Sequence, residues 1–192
     1  YAPDESEDAF LGKVFVLQSG KTGVSNHATQ VGKRVYGDHS VGLAPDVDEI
    51  HVYGVEGWVL SDFLRSGTGS NPMTPPSNLS LFNNSWLASF GNSSSDKQAL
   101  RRADWSIDTH NIMMFNGIPN KGGDQMPLMS YGFNSVSVGK QNGEHVSDPV
   151  PSGFDLPGRQ MPLIVASQNT TSNATGVVSA ATALLVETQQ TH

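Results

Sequence analysis

A three-layer α/β fold, with a mostly parallel central sheet flanked by helices, is the fold class that this sequence predicts. Short apolar runs recur along the chain and alternate with segments of helical spacing. Strands that are apolar throughout are typical of a parallel sheet covered on both faces. The length of 192 residues suits one domain spanning 1–192, with residues 1–11 as a loop.

The predicted elements follow one another in α/β order. The first helix begins at His27 and ends at Gly37, because Ala28, Val31 and Val35 repeat at helical spacing. A last helix over 171–187 is small and apolar on nearly every face, which predicts that it lies inside the fold. The other predicted helices are 58–64 and 95–108, and the predicted strands, most of them buried, are 12–17, 47–55, 79–86, 111–115, 135–139 and 161–166.

Composition excludes several classes of protein. Eleven Lys and Arg against eighteen Asp and Glu give a net charge of −7, which argues against a nucleic-acid partner. The chain has no cysteine, so thiol chemistry and Cys-type zinc sites are excluded. No apolar run reaches the roughly 18 residues that a membrane span needs. Charged residues make only 15% of the chain, and this low share with many small polar residues favours a secreted or periplasmic protein.

Three polar residues stand where a site is expected. Ligands of parallel sheets bind beyond the carboxyl ends of the strands. His27 and Ser172 begin predicted helices, and Asn116 directly follows a predicted strand. Ser172 is a favourable helix N-cap, and its hydroxyl also lies where the helix dipole favours a developing oxyanion. Asn116 is followed by Gly117, which by itself is also a turn signal.

The sequence around Ser172 resembles a known motif. The run N-T-T-S-N-A-T-G-V-V-S-A-A-T-A-L-L is similar to the serine motif of the subtilisin-like serine proteases (subtilases), Gly-Thr-Ser-x-Ala-x-Pro-x-Val-x-Gly. Thr170, Gly176 and Ala180 depart from it, standing where the family has Gly, Pro and Gly. The resemblance implies a subtilisin-like fold, with Ser172 as the nucleophile.

Other stretches resemble the same family in the same order. S-N-H-A-T-Q-V-G-K resembles its histidine motif, which implies that His27 is the general base. The stretch M-M-F-N-G-I-P-N offers Asn116 and Asn120 for the family's oxyanion asparagine, and Asn116 is preferred because it directly follows the strand. N-S-W-L resembles the segment that binds the substrate backbone, which implies that a groove is lined by Ser85, Trp86 and Leu87.

The acid of the expected triad is absent from the matching place. Subtilases carry an Asp at the end of an apolar strand upstream of the histidine motif. Only 26 residues precede His27, and neither Asp4 nor Asp8 follows an apolar strand. We therefore expect the Asp-bearing segment to lie upstream of Tyr1, the chain being truncated at its amino end. Without an acid to orient the imidazole, a Ser-His pair turns over about 10⁴-fold more slowly.

The expected function is that of a serine endopeptidase acting on peptides or proteins through an acyl-enzyme. The alternative is a catalytically inactive subtilase-like domain that serves as a binding or structural module. An α/β-hydrolase is less suitable because the Gly-x-Ser-x-Gly elbow is absent, and a lectin-like domain conflicts with the long apolar helix. No cofactor is expected. Calcium enters by family resemblance only, since Asp46, Asp48 and Glu49 have the pattern of a solvated face. A domain without its first strand exposes a sheet edge that can associate with a partner.

Overall fold

The described part of the chain contains six parallel strands arranged in two sheets. The computed structural model describes residues 1–20, 23–122, 126–141, 150–151, 153–154 and 159–190. Its strands are β1 (Val14–Leu17), β2 (Glu49–Val52), β3 (Leu81–Asn84), β4 (Met113–Gly117), β5 (Val136–Lys140) and β6 (Ile164–Ala166). Its longer helices are α1 (Asn26–Tyr36), α2 (Ser93–His110) and α3 (Thr171–Gln190). Shorter helical segments are Val55–Gly57, Trp58–Asp62, Asp8–Phe10 and Leu128–Tyr131.

The sheets have the predicted parallel arrangement. β1 pairs with β2, and the other four strands form one sheet in the order β3-β4-β5-β6. In the register of this sheet Asn84 lies beside Asn116, at the carboxyl ends of β3 and β4. Parallel neighbours need a crossover between them, and α1 between β1 and β2 and α2 between β3 and β4 are two of these connections. The predicted α/β class is confirmed.

Alternate residues of β4 face two different helices. Met114 belongs to the main core, in which Ala99 and Leu100 of α2 are also buried. Phe115 points the other way and packs with Ala174 of α3. Side chains alternate between the two faces of a strand. The four-stranded sheet is therefore a middle layer, with α2 on one face and α3 on the other.

Helix α1 crosses α3 at a glycine. Gly176 lies one turn into α3, and a Cβ added to it would lie 3.3 Å from Val35 Cγ2 and 3.6 Å from Val31 Cγ1. Ala180, fully buried on the next turn of α3, packs with the same two valines. Small residues at both positions allow the two helix backbones to approach closely. This crossing fixes where the first turns of α1 and α3 lie relative to each other.

Three predictions of burial are wrong. β1 was expected to be a buried strand, but Val14 is 55% exposed and Leu17 is 47% exposed, because β1 has a neighbour on one side only. β6 is the outer strand of its sheet, and Leu163 just before it is 67% exposed. The end of α3 is also outside the core, since Leu185 is 65% exposed. These exposures depend on the order of strands in the sheets and on how far α3 extends beyond the core. Neither can be read from the composition of a short segment.

Residues 1–11 are irregular apart from the helical turn at Asp8–Phe10, and they are attached to the domain. Ala2 forms a parallel bridge with Val24, and Phe10 is buried against the rings of Phe15 and Tyr36. The bridge places Tyr1 near the start of α1. Among the described residues, no helix combines the length and the apolar character needed to cross a membrane.

Candidate active site

Two helix N-termini and the end of one strand form the candidate site. His27 is the second residue of α1, and Ser172 is the second residue of α3. Ser85 directly follows β3, the edge strand of the larger sheet. The N–H groups in the first turn of a helix lack partners within the helix and favour negative charge nearby. Each of these three residues comes from a different element, so only the folded chain brings them together.

His27 and Ser172 meet at one oxygen atom. His27 Nε2 lies 3.1 Å from the carbonyl oxygen of Ser85, and Ser172 Oγ donates to the same oxygen at 3.4 Å. The hydroxyl of Ser85 in turn donates to the carbonyl of Ser172 at 3.2 Å. The structure thus brings the predicted nucleophile and the predicted base into one small volume. Ser172 is half-buried and His27 is exposed to solvent.

The contact with Ser85 constrains the imidazole. A carbonyl oxygen only accepts hydrogen bonds, so this contact is a hydrogen bond when His27 Nε2 carries a proton. Nδ1 has no hydrogen-bond partner among the described residues, and no carboxylate oxygen of that part of the chain lies within 4.0 Å of the ring. Asp4 does not supply one, because its carboxylate accepts from the backbone and hydroxyl of Ser6.

Asn116 lies inside the protein, and its side chain bonds to residues other than His27, Ser85 and Ser172. Its side chain is 1% exposed and accepts a hydrogen bond from Asn84 Nδ2 at 2.8 Å. Its own Nδ2 donates to the carbonyl of Met129 at 2.9 Å. Trp86 Nε1 donates to Asn84 Oδ1 at 3.2 Å and extends the chain of hydrogen bonds toward the surface. These contacts engage both polar atoms of the Asn116 side chain within the protein.

Asn120, the other asparagine of the same stretch, lies at the start of α3. Its Oδ1 accepts from the backbone N–H of Thr171 at 2.8 Å, one residue before Ser172. This bond turns Oδ1 toward the helix and leaves Nδ2 without a hydrogen bond to the described residues. The sequence named both asparagines, and the preference for Asn116 depended on where β4 ends. The strand continues to Gly117, so Asn116 lies within it and Asn120 lies beyond it.

Ser85, Trp86 and Leu87 form an extended segment beyond β3, and each is half-buried. The indole of Trp86 packs edge-on against Trp58, with ring centroids 5.8 Å apart. Next to it, Ala88 forms a parallel bridge with Pro127. A cavity of about 570 Å³ opens beside this segment. Its apolar walls include Val55, Val59, Leu60, Trp86, Phe90 and Leu128, and Glu56 also lines it.

The acidic stretch at the start of β2 is divided among separate partners. Asp46 lies 3.7 Å from His39, and Asp48 lies 3.4 Å from Lys13. Glu49 accepts from His51 Nε2 at 2.7 Å and from Asn78 Nδ2 at 2.8 Å. The hydrogen bond from His51, and then that from Asn78, holds the pKa of Glu49 below its usual value. Within the described ranges, no group of three or more His, Asp or Glu side chains could hold a metal ion.

Comparison with known proteins identifies the fold. No family model matches the sequence, and no curated protein matches it either. The chain is similar to the solved structure of the prenylagaramide maturation protease PagA, with 20% sequence identity and a TM-score of 0.58; the match covers 98% of this chain and 74% of the PagA chain. It is also similar to the solved structure of the patellamide maturation protease PatG, with 14% sequence identity and a TM-score of 0.58; this match covers 98% of this chain and 75% of the PatG chain. The chain therefore has the subtilisin-like α/β fold.

Proposed function

We propose that the chain is a serine endopeptidase in which Ser172 attacks the peptide carbonyl and His27 transfers the proton. The observation that carries the proposal is the meeting of His27 Nε2 and Ser172 Oγ at the carbonyl oxygen of Ser85. The reaction requires the Ser172 hydroxyl to exchange that shared acceptor for the imidazole. Nucleophile and base in the first turns of two packed helices are a suitable pair for acyl transfer. The similarity to two maturation proteases supports this assignment.

The proposed reaction has two halves. His27 Nε2, in its unprotonated form, accepts the proton of Ser172 Oγ while the oxygen bonds to the scissile carbonyl carbon. The imidazolium then gives this proton to the leaving amine, and the C–N bond breaks to leave an acyl-enzyme. Water repeats the sequence, with His27 as base and Ser172 as leaving group. Peptide and water are the only reactants, so the step needs no cofactor.

The oxyanion of each tetrahedral intermediate needs donors near Ser172. The backbone N–H of Ser172 is one, since it belongs to the first turn of α3. For the second donor we propose Asn120 Nδ2 in place of Asn116. Asn120 is attached to Thr171 by its Oδ1, whereas the amide of Asn116 is buried and donates to Met129. The removal of one such donor typically costs 10²- to 10³-fold in turnover.

We assign the substrate backbone to the extended segment Ser85, Trp86 and Leu87. Backbone groups of an edge segment bind an extended peptide by strand addition, and neighbouring pockets select side chains. The cavity beside Trp86 has mostly apolar walls. We therefore expect cleavage of peptides that place a large apolar side chain in this cavity.

The second candidate is an inactive domain that binds peptides without cleaving them. It is favoured by one observation: within the described ranges no carboxylate oxygen lies within 4.0 Å of a ring nitrogen of His27, and Nε2, the nitrogen that should accept, faces the carbonyl oxygen of Ser85. Such a domain would keep the groove at Ser85 to Leu87 and lose the reaction. Reaction of Ser172 with a serine-directed probe separates the two candidates.

The test is reaction with a fluorophosphonate probe, followed by peptide mapping. Ser94 is a control in the same molecule, because it is the second residue of α2 just as Ser172 is the second residue of α3. We expect an adduct on Ser172 and none on Ser94, formed up to about 10⁴-fold more slowly than in an enzyme with a complete triad. His27→Ala should abolish the adduct, while His39→Ala should leave it unchanged.

An adduct on Ser172 no faster than on Ser94, in protein shown to be folded by circular dichroism, would overturn the proposal and favour the binding domain. Ser172→Ala controls for probe that binds without reacting. Hydrolysis of a fluorogenic peptide by the same variants then separates peptidase activity from reactivity of the serine alone.

A further inference from the structure

A chain of side-chain hydrogen bonds links β3 to α3 beside the candidate site. It begins at Ser179 of α3, whose hydroxyl donates to Asn83 Oδ1 at 3.1 Å. Asn83 Nδ2 in turn donates to the hydroxyl of Ser85 at 3.1 Å, and Ser85 Oγ donates to the carbonyl of Ser172 at 3.2 Å. Asn83 Oδ1 is a more distant alternative acceptor for Ser85 Oγ, at 3.4 Å. Each donor thus has an acceptor along the chain, and both ends of the chain lie on α3.

The spacing of these four residues follows from the two elements that carry them. Ser172 and Ser179 are seven residues apart, about two helical turns, so they lie on one face of α3. Asn83 and Ser85 are two residues apart, so they point to the same side of the extended chain. In the register of the sheet Asn83 lies beside Phe115, whose side chain packs against α3. The hydrogen-bond chain is therefore on the face of the sheet that α3 covers.

The pair of Asn83 and Ser179 is a polar contact in an apolar interface. Ser179 is 0% exposed and Asn83 is half-buried. Around them, the buried residues of the cluster between sheet and helix are Phe115, Val138 and Ala174. Replacing both partners of such a bond by apolar groups of similar shape is close to neutral for stability, and asparagine is disfavoured in strands. The stability of the fold gives no reason for this pair, whereas its bond to Ser85 gives one at the candidate site.

Ser85 contacts both reacting residues and also begins the substrate segment. Its carbonyl oxygen lies 3.1 Å from His27 Nε2 and 3.4 Å from Ser172 Oγ. It is the first residue of the segment to which we assign the substrate backbone. Its hydroxyl is held from two sides, by Asn83 Nδ2 and by the carbonyl of Ser172. These two bonds therefore set the distance between a peptide on this segment and the nucleophile.

We propose that Asn83, anchored by Ser179, is a positioning residue that fixes the substrate-binding segment relative to Ser172. Its side chain acts through Ser85. The inference rests on the proposed function, since it concerns how a bound peptide meets the nucleophile. A displacement of about 1 Å in such a geometry can cost about 10²-fold in rate. The loss should fall on substrates that occupy the segment and should spare small reagents that do not.

Two serine-directed probes separate positioning from general damage to the site. The diphenyl phosphonate of acetyl-Ala-Ala-Phe has a peptide backbone that can bind the segment, whereas diisopropyl fluorophosphate has none. In the double variant Asn83→Leu/Ser179→Ala, labelling of Ser172 by the peptidyl phosphonate should slow at least tenfold. Labelling by the fluorophosphate should change by less than about threefold. The Tm should stay close to that of the unsubstituted chain, because both polar partners are replaced by apolar side chains.

Ser106→Ala is the matched control for the helix serine. Ser106 of α2 is also 0% exposed, but its hydroxyl donates to Arg102 O within its own helix. Ser179→Ala should slow the peptidyl phosphonate and spare the fluorophosphate, and Ser106→Ala should affect neither. Each of these changes removes a single hydroxyl, so they carry the test if the double variant does not fold.

A second comparison tests whether Asn83 acts through Ser85. Ser85→Ala removes the middle hydroxyl of the chain and retains the backbone carbonyl, so it should also slow the peptidyl phosphonate selectively. Adding Asn83→Leu to Ser85→Ala should slow it no further, because residues of one chain are not additive. Equal losses for the two probes, no loss in the chain variants, or a further loss in this combination would overturn the positioning role.

A measurement without reactivity tests the chain itself. The carbonyl ¹³C shift of Ser172 reports the hydrogen bond from Ser85 Oγ. It should move upfield in Ser85→Ala, move less in Asn83→Leu/Ser179→Ala, and stay in place in Ser106→Ala. An unchanged shift in either of the first two would overturn the inference, whatever the labelling rates.

The two proposals fail in different ways. A Ser172 that reacts with neither probe in the unsubstituted protein would overturn the proposed function, and the positioning role with it. A Ser172 that reacts in a His27-dependent manner, with both probes equally insensitive to Asn83→Leu/Ser179→Ala, would retain the peptidase and overturn the positioning role alone.

Discussion

Asn116 and Asn120 should respond oppositely to truncation. Asn116→Ala removes the acceptor of Asn84 Nδ2 and one donor to the Met129 carbonyl, both inside the protein. A buried polar group left unpaired costs about 1–3 kcal/mol. Met129 O keeps the hydroxyl of Ser135 as a donor at 2.9 Å, so its share is small. We expect a loss of about 1–3 kcal/mol in the free energy of unfolding, with little effect on the reactivity of the folded protein.

Asn120→Ala should reduce the reactivity of Ser172 more than it reduces the stability of the protein. The variant removes the acceptor of the N–H of Thr171, a buried residue, a loss comparable to that of a helix cap, about 1 kcal/mol. It also removes the proposed oxyanion donor, so labelling of Ser172 by the fluorophosphonate should slow by about 10²- to 10³-fold.

Urea unfolding followed by tryptophan fluorescence gives the first quantity for each variant. The labelling rate of Ser172 at a urea-free, fully folded condition gives the second. A stable Asn116→Ala protein with slow labelling, beside an Asn120→Ala protein with normal labelling, would refute the reasoning and return the oxyanion role to Asn116.

Three further perturbations test other parts of the structure. Gly176→Leu forces side-chain atoms against Val35 and should lower the free energy of unfolding by about 1–3 kcal/mol in urea titrations, whereas Gly176→Ala should change it by less than about 1 kcal/mol because its higher helix propensity offsets the tight contact. Equal effects of the two substitutions would contradict the close helix crossing. Ala88→Leu fills the cavity beside Trp86 and should lower kcat/KM for peptides with a large apolar side chain, while the rate of Ser172 labelling stays the same. An unchanged kcat/KM would show that the large apolar side chain of the substrate binds elsewhere. The hydrogen bonds from His51 and Asn78 lower the pKa of Glu49, so their stabilising effect is present above about pH 4.5 and is lost as the pH falls further. Glu49→Gln should therefore make the Tm fall less steeply at acid pH in thermal unfolding. An unchanged slope would show that the hydrogen bonds of Glu49 do not contribute to stability.

Local sequence signals were sufficient for the positions of the helices. The repeat of Ala28, Val31 and Val35 predicts α1, and Gly37 ends it as expected. The same reasoning places Ser172 in the first turn of α3, where the structure has it. These features depend on neighbours within one or two turns, so the printed sequence contains them.

Features that depend on strand order could not be obtained in this way. The exposure of β1 and β6 follows from their places at sheet edges, which a run of apolar residues does not reveal. The preference for Asn116 over Asn120 depended on a strand that continues two residues further than expected. In the part of the chain that the structure describes, β2 and β3 belong to separate sheets, a fact of tertiary structure alone.

The helix crossing at Gly176 has a consequence for how this protein can vary. Val31 lies four residues after His27, and Gly176 lies four residues after Ser172. The point where the helices touch is thus one turn, about 6 Å, from each functional side chain. Because this contact is so near both residues, movements in distant loops should change the distance between His27 and Ser172 very little. Substitutions in the segment around Trp86 and in the cavity beside it should therefore leave the spacing of His27 and Ser172 unchanged.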